Sequence, residues 1–107
     1  MRRGQVIYRP EALADLNDIL KAIAELSQSA LVAERYVDRI ILRCRKIGDA
    51  PRGGRRHDEL EAGLRSVPFE DKALILYRVS DVVEITNIFP RGQNYEVLFK
   101  TGRFDPE

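Results

Sequence analysis

The 107-residue chain is 44% hydrophobic and 33% charged, which is the length and composition of one small globular domain over residues 1–107. Its 18 basic and 17 acidic side chains give a formal net charge of +1, a balance that argues against nucleic acid as a bulk partner of the whole surface. Because there is one cysteine, no secretory signal and no apolar run of membrane-spanning length, we expect a cytoplasmic protein without a disulfide framework or a membrane anchor.

The first half of the chain predicts a short strand followed by two amphipathic helices. Residues 5–8 are strand formers, and Pro10 suits the first turn of a helix because it has no N–H to leave unpaired. Apolar residues then recur at steps of three and four, first at Leu13, Leu16, Ile19, Leu20, Ile23 and Leu26 and then at Ala33, Tyr36, Val37, Ile40, Ile41, Cys44 and Ile47. Ser29 lies between the two segments and can cap the second helix. The short connection predicts an antiparallel helical hairpin over residues 10–47.

After residue 63 the spacing of apolar residues changes to that of strands. Three β-branched and aromatic runs, at 64–69, 73–79 and 82–89, are separated by connectors short enough for antiparallel hairpins. Pro68 should keep the first run at an edge of the sheet, since proline cannot donate to a ladder. The fold class predicted is α+β: an N-terminal strand, the helical hairpin and a three-stranded antiparallel meander, in two layers. The hairpin should pack onto the sheet through Leu16, Ile23, Val37, Ile40 and Cys44.

The stretch APRGGRRHDELEAGLR, residues 50–65, places arginines around two glycines between the predicted helices and strands. It does not match a phosphate-binding loop, because here the glycines follow a helix and lead to a strand. Residues 39–56 nevertheless hold seven basic side chains against one acid. Two interpretations stay open: a helix end with a solvated loop, or a contact surface for an acidic partner segment or for phosphates.

Catalytic and metal chemistry have few candidate residues in this sequence. His57 is the only histidine and Cys44 the only cysteine, and neither has a neighbour at metal-ligand spacing. Cys44 falls on the apolar face of the second helix, where a buried thiol is expected. His57 is interpreted as a loop histidine. We therefore expect no metal, no cofactor and no catalytic nucleophile.

Arg65, Arg78 and Arg91 are unusual because two lie within predicted strands and the third follows the last strand. The simplest interpretation of Arg78 is an ion pair with Glu84, which a tight hairpin would place opposite it. Arg91 would then be a solvated loop charge. Alternatively, the three arginines form one cationic face for phosphate or carboxylate, with Tyr95 joining them as an acid or a stacking platform.

Taken in order, several short motifs resemble the RelE/ParE superfamily of toxins from bacterial type II toxin–antitoxin pairs, over about residues 5–99. They are YRPEALADLNDI (8–19), Tyr36, Pro51 with Gly53, the Glu-Leu and Gly-Leu-Arg pieces of residues 59–65, LYRV (76–79) and VEITNIF (83–89). The resemblance implies the fold derived above. Within it, residues 50–65 resemble the connector from the helical hairpin to the sheet.

The superfamily has two functional branches, and the long helices with YRPEALADLNDI look more like the ParE branch. ParE-like members poison DNA gyrase and arrest growth, so the resemblance implies a gyrase inhibitor that is not an enzyme. RelE-like members are ribosome-dependent messenger-RNA endonucleases, and for that alternative the matching residues would be Arg65, Arg91 and Tyr95. A third possibility is a binding module of the same fold that has lost toxicity.

The resemblance also implies a partner, a ParD-like antitoxin whose N-terminal part binds operator DNA and whose C-terminal segment folds along the toxin. We expect a hetero-oligomer in which this chain carries no operator-binding element of its own. Apolar residues outside the inferred core faces should line the groove for that segment, namely Leu31, Val32, Val82 and Ile88. The candidates for contact with target or partner are Arg52, Arg55, Arg56, Arg65, Arg78 and Arg91.

Overall fold

Two helices and five strands follow one another in a computed structural model that describes residues 4–70 and 72–90. The elements are β1 Val6–Tyr8, α1 Pro10–Ser27, α2 Ala30–Asp49, a 3-10 turn Pro51–Gly53, β2 Arg55–Arg56, β3 Leu64–Phe69, β4 Ala73–Val79 and β5 Val83–Pro90. The predicted α+β order is confirmed, and β3 and β4 have the predicted bounds. Within the described ranges, neither helix is long and apolar enough to cross a membrane.

Local signals in the sequence explain where the two helices begin and end. Arg9 is extended and Pro10 occupies the first helical turn of α1, as its missing N–H favours. The helix ends at Gln28, whose left-handed backbone (φ 57°) turns the chain. The hydroxyl of Ser29 then accepts a hydrogen bond from the N–H of Val32 at 3.2 Å, which confirms the predicted cap of α2.

The strands form one sheet in the order β1-β5-β4-β3-β2. The three long strands form the predicted antiparallel meander, and β1 pairs in parallel with β5, with Val6 opposite Val83. The prediction that β3 lies at an edge is wrong, because the two-residue strand β2 pairs with its first half. Pro68 lies beyond that pairing, so its missing N–H breaks no ladder with β2.

The main core lies between the helical hairpin and the sheet. Leu16, Ile40 and Cys44 are buried in it, and Ile23 and Val37 are partly buried against it, as predicted. The members of this core from the sheet are Val67, Phe69, Ala73, Ile75, Tyr77, Val83, Ile85 and Ile88. Ile88, which the sequence assigned to a surface groove, is 1% exposed, because β5 alternates so that it faces α1. Its expected place outside the core faces is therefore wrong, although Ile88 also lines a concavity between α1 and the sheet.

A smaller cluster lies on the other face of the sheet. It comprises Leu64, Leu76 and Phe89, with Leu60 and Leu74 packed against it. Since successive residues of a strand point to opposite faces, Arg65 and Tyr77 lie on the helix side, while Leu64 and Arg78, paired in register, lie on the side of this smaller cluster.

Candidate functional site

The basic loop 51–54 is fastened to the sheet by two side chains. One is Arg65, whose Nη1 donates to the carbonyl oxygens of Arg52 at 3.1 Å and of Gly54 at 3.0 Å. The other is Tyr77, whose hydroxyl donates to the carbonyl of Pro51 at 2.8 Å and accepts from the N–H of Gly54 at 3.0 Å. These four bonds fix the backbone of the loop, so the arginine side chains on it project from a defined position.

Gly54 is the residue that permits this close approach. A Cβ atom at this position would collide with the hydroxyl of Tyr77 and would lie 2.9 Å from the carbonyl oxygen of Ser66. Gly53, one residue earlier, has open space in the same direction. Of the two adjacent glycines, Gly54 is therefore required by packing, and Gly53 is not.

Ion pairs neutralise some of the predicted contact arginines and leave others free. Arg56 lies 2.8 Å from the carboxylate of Asp58, and the Gly63 N–H bonded to Asp58 holds the pKa of that carboxyl below its usual range, with Arg56 adding to the effect. Arg52 and Arg55 are exposed and have no carboxylate partner within residues 4–70 and 72–90.

The structure does not bring Arg65 and Arg78 together into one cationic face. Arg65 lies on the helix side of the sheet and Arg78 on the opposite side. Arg78 is opposite Glu84 in register, as predicted, but its ion pair is with Glu61. Arg91 and Tyr95 lie outside the described residues.

A cleft with basic walls, which we call the cationic cleft, lies between α2 and the end of β3. It has a volume of about 340 Å³ and is lined by Arg39, Leu42, Arg43, Lys46, Phe69 and Glu70. The basic residues are spaced by four and three positions, which places them on one side of the helix. Glu70 accepts two hydrogen bonds from Arg39, at 2.9 and 3.1 Å, and these bonds lower the pKa of Glu70. For Arg43 and Lys46, the described residues provide no carboxylate partner.

A second concavity, which we call the apolar groove, runs between α1 and the end of the sheet. Its volume is about 350 Å³, and it is lined by Asp15, Asp18, Ile19, Ala22, Ile23, Leu26, Tyr36, Lys72, Ala73, Ile88 and Pro90. Leu26 is 82% exposed at its rim. The predicted groove residues Leu31 and Val32 are 53% and 47% exposed near the hairpin tip, and Ile88 contributes from the core.

Comparison with protein families matches residues 6–95 to the ParE toxin of the type II toxin-antitoxin system, parDE. The chain belongs to the ParE toxin family. The match includes the helical hairpin, the fastened loop and all five strands. The match confirms the prediction, made from the sequence motifs, that this chain is the toxin of a type II toxin–antitoxin system. A ParDE system implies an antitoxin partner.

The fold is also found in a solved structure, a chain of the chromosomal ParDE TA system from P. aeruginosa. The TM-score is 0.71 with 22% sequence identity, and the alignment covers 82% of this chain and 96% of that one. At this identity the similarity concerns the fold alone. No curated protein matches the sequence.

His57 of this ParE toxin is part of a buried polar network that the sequence did not predict. It is 1% exposed, its Nε2 lies 2.7 Å from the hydroxyl of Ser66, and its Nδ1 lies 3.5 Å from Glu59. The backbone of His57 also pairs with Leu64, so the residue holds β2 against β3. The contacts from Ser66 to His57 to Glu59 resemble those of a nucleophilic triad. Ser66 is only 5% exposed, however, so a substrate has no direct access to its hydroxyl. His57 does lie in the connection between β2 and β3, as a loop histidine would, but it is buried there.

The thiol of Cys44 is equally inaccessible in the toxin. It is 0% exposed, and burial raises its pKa to about 11. A thiol that stays protonated and buried is a poor nucleophile and a poor ligand. Within residues 4–70 and 72–90, no three histidine, cysteine, aspartate or glutamate side chains converge in a way that could hold a metal ion.

Proposed function

We propose that this ParE toxin inhibits DNA gyrase in the cytoplasm, as a single domain over residues 1–107, and is held inactive by a ParD-like antitoxin. The observation that carries the proposal is the family match over residues 6–95, which includes every element of the fold described above. Gyrase is the target that the ParE branch of the superfamily implies. Inhibition would arrest growth with broken DNA.

The geometry of Arg65 supports the gyrase branch over the ribonuclease branch. A ribonuclease of the RelE type would need this guanidinium at the scissile phosphate, with Arg91 and Tyr95 as the other candidates. In this chain the Nη1 of Arg65 donates to two backbone carbonyls of the loop 51–54. These two bonds hold Arg65 in a structural position, and redirecting its guanidinium would break both of them.

The apolar groove is the surface we assign to the antitoxin. Its walls are mostly apolar, and Leu26 is exposed at the rim. An apolar groove of this kind is suited to the apolar face of an amphipathic helix, whose remaining side chains would stay in solvent. An antitoxin segment that orders on binding would bury this surface and stabilise the toxin by mass action.

The target is tested by expressing the toxin in bacteria with and without the neighbouring antitoxin gene. Growth arrest with induction of the DNA-damage response supports gyrase, and purified toxin should then inhibit supercoiling by gyrase in vitro. Rapid translation arrest with cleaved messages, lost on changing Arg65, Arg91 or Tyr95, would instead establish the ribonuclease alternative. If expression without the antitoxin produces no phenotype, the alternative of a non-toxic binding module is supported.

The antitoxin surface is tested by two leucine variants of α1. Leu26→Glu places a charge at the rim of the apolar groove, whereas Leu13, which is 54% exposed, does not line it. We expect Leu26→Glu to weaken co-purification with the antitoxin at least about tenfold, because the charge would be desolvated, and Leu13→Glu to leave it unchanged. Equal capture of both variants would exclude the groove. Operator binding by the toxin alone would contradict the proposed division of roles.

A further inference from the structure

The acidic and basic side chains of this toxin are unevenly distributed along the chain. Helix α1 carries four acids and one base, whereas residues 39–56 carry seven bases and one acid. The net charge of +1 therefore conceals a strong asymmetry. A dipolar charge distribution of this kind orients a protein in the field of a highly charged partner and speeds its docking through one face.

The cationic cleft lies within this basic region. Arg39 is already satisfied by Glu70, but Arg43 and Lys46 have no carboxylate partner within the described ranges. The region continues to the fastened loop, because the 3-10 turn Pro51–Gly53 directly follows α2 and contacts it. Tyr77 is bonded to both ends of the loop that carries Arg52, which is exposed. Among the described residues, Arg43, Lys46 and Arg52 are thus cations without a carboxylate partner, on neighbouring elements.

The spacing of the basic residues fits a nucleic-acid backbone. From Arg43 to Lys46, the two bases of this row without a carboxylate partner in the described ranges, the helix rises about 4.5 Å, which is close to the spacing of about 3.4 Å between neighbouring phosphates along one DNA strand. Guanidinium and ammonium groups bind phosphate oxygens whatever the base sequence. A protein–protein interface of standard size has an apolar centre. Of the six residues that line this cleft, only Leu42 and Phe69 are apolar.

We propose that the cationic cleft, together with Arg52, binds the phosphates of duplex DNA when the toxin acts on gyrase. This rests on the proposed gyrase target and adds the DNA itself as a contact of the toxin. The contact is independent of base sequence, so it is compatible with operator recognition by the antitoxin alone. Because few phosphates are neutralised, binding to free DNA is weak, with a Kd in the range of about 10⁻⁴ to 10⁻⁶ M, and the small number of contacts sets a shallow salt dependence.

The DNA contact is measured first without gyrase. Purified toxin is titrated into fluorescent duplexes of two unrelated sequences, and the anisotropy is recorded from about 50 to 200 mM salt. The double variant Arg43→Gln/Lys46→Gln should bind at least about tenfold more weakly and should reduce the slope of log K against log salt by about 2. The matched control, Lys21→Gln/Arg45→Gln, also removes two positive charges. One is on α1 and the other is on the side of α2 near Tyr8. Its slope should stay close to that of the unmodified toxin.

Gyrase inhibition is then measured for the same three proteins, with circular dichroism as the check on folding. We expect the cleft variant to require at least about tenfold more protein for inhibition of supercoiling, and the control to match the unmodified toxin. If unmodified toxin inhibits gyrase and the cleft variant does so equally well, the DNA contact is wrong while the gyrase target stands. If unmodified toxin binds DNA but does not inhibit gyrase, the target is wrong.

Two further outcomes would overturn the DNA contact. Equal loss in the control would show that only overall charge matters. Loss of antitoxin capture by the cleft variant, with no DNA binding by the unmodified toxin, would assign the cleft to an acidic protein segment instead.

Discussion

The carboxylate of Asp15 in α1 accepts a hydrogen bond from the backbone N–H of Ile88 in β5 at 2.8 Å, and both residues are buried. The bond joins the helical hairpin directly to the sheet across 73 residues of sequence. It also fixes one wall of the apolar groove, because both residues line that groove. A charged acceptor for a buried N–H is among the stronger single hydrogen bonds in a protein.

We expect Asp15→Ala to lower the free energy of unfolding by about 2 kcal/mol, because the N–H of Ile88 would lose this buried acceptor. Asp18→Ala is the control, since Asp18 is an exposed carboxylate on the same helix and should change stability by less than about 0.5 kcal/mol. Urea unfolding at unchanged m value measures both. Equal midpoints for the two variants would contradict the assigned role of Asp15.

Gly54→Ala should destabilise the toxin by about 1 to 3 kcal/mol, because the added methyl group collides with the Tyr77 hydroxyl and the Ser66 carbonyl. Gly53→Ala is the matched control one residue earlier, where there is open space. We expect it to be neutral within about 0.5 kcal/mol. Thermal and urea unfolding distinguish the two variants. A neutral Gly54→Ala would mean that the loop 51–54 can move away from the sheet at little cost.

The long elements of this fold could be predicted because their periodicity is a local property. The bounds of β3 and β4 and the cap at Ser29 follow from residues close in sequence. The short strand β1 was also predicted, from its strand-forming residues, but its parallel pairing, such as Val6 with Val83, was not. By contrast, β2 was missed altogether, because two residues are too few to define a period and its existence depends on pairing with the distant β3.

The candidate site was predictable in composition but not in arrangement. The surplus of basic residues in 39–56 is plain in the sequence, yet which of them are neutralised is not. Arg39 is paired by Glu70, 31 residues away. Asp15 lies near the start of a helix, where carboxylates are common at the surface, yet it is buried and accepts a hydrogen bond from the backbone N–H of Ile88. Polar residues buried by long-range hydrogen bonds look like surface residues in sequence.

Cys44 should be unreactive toward iodoacetamide at about pH 8, because the thiolate is the reactive form and burial raises the pKa of Cys44 to about 11. The same protein in denaturant should be alkylated completely. The folded state favours the protonated thiol of Cys44. The stability that this preference contributes is complete below the ordinary pKa of 9.0 and is lost as the pH rises toward 11. Mass spectrometry of both samples measures the labelling, and rapid alkylation of folded toxin would contradict the burial of Cys44.

Glu70→Gln should strengthen binding of the toxin to duplex DNA, because Glu70 neutralises Arg39 in the cationic cleft through two hydrogen bonds. One additional phosphate contact would make the slope of log K against log salt steeper by about 0.9. Glu25→Gln is the control, since it removes an exposed acid of α1 and changes the net charge equally.

The charge of the cationic cleft also depends on pH through Glu70. Arg39 holds the pKa of Glu70 below its ordinary value of 4.5, so the pair is intact above that pH and is lost as the pH falls through the lowered value. In the unmodified toxin, Glu70 should therefore stay paired with Arg39 from about pH 7 to about pH 5. The difference in DNA affinity between Glu70→Gln and Glu25→Gln should persist over this range. Identical DNA affinity of Glu70→Gln and Glu25→Gln at low salt would mean that Arg39 does not face the DNA.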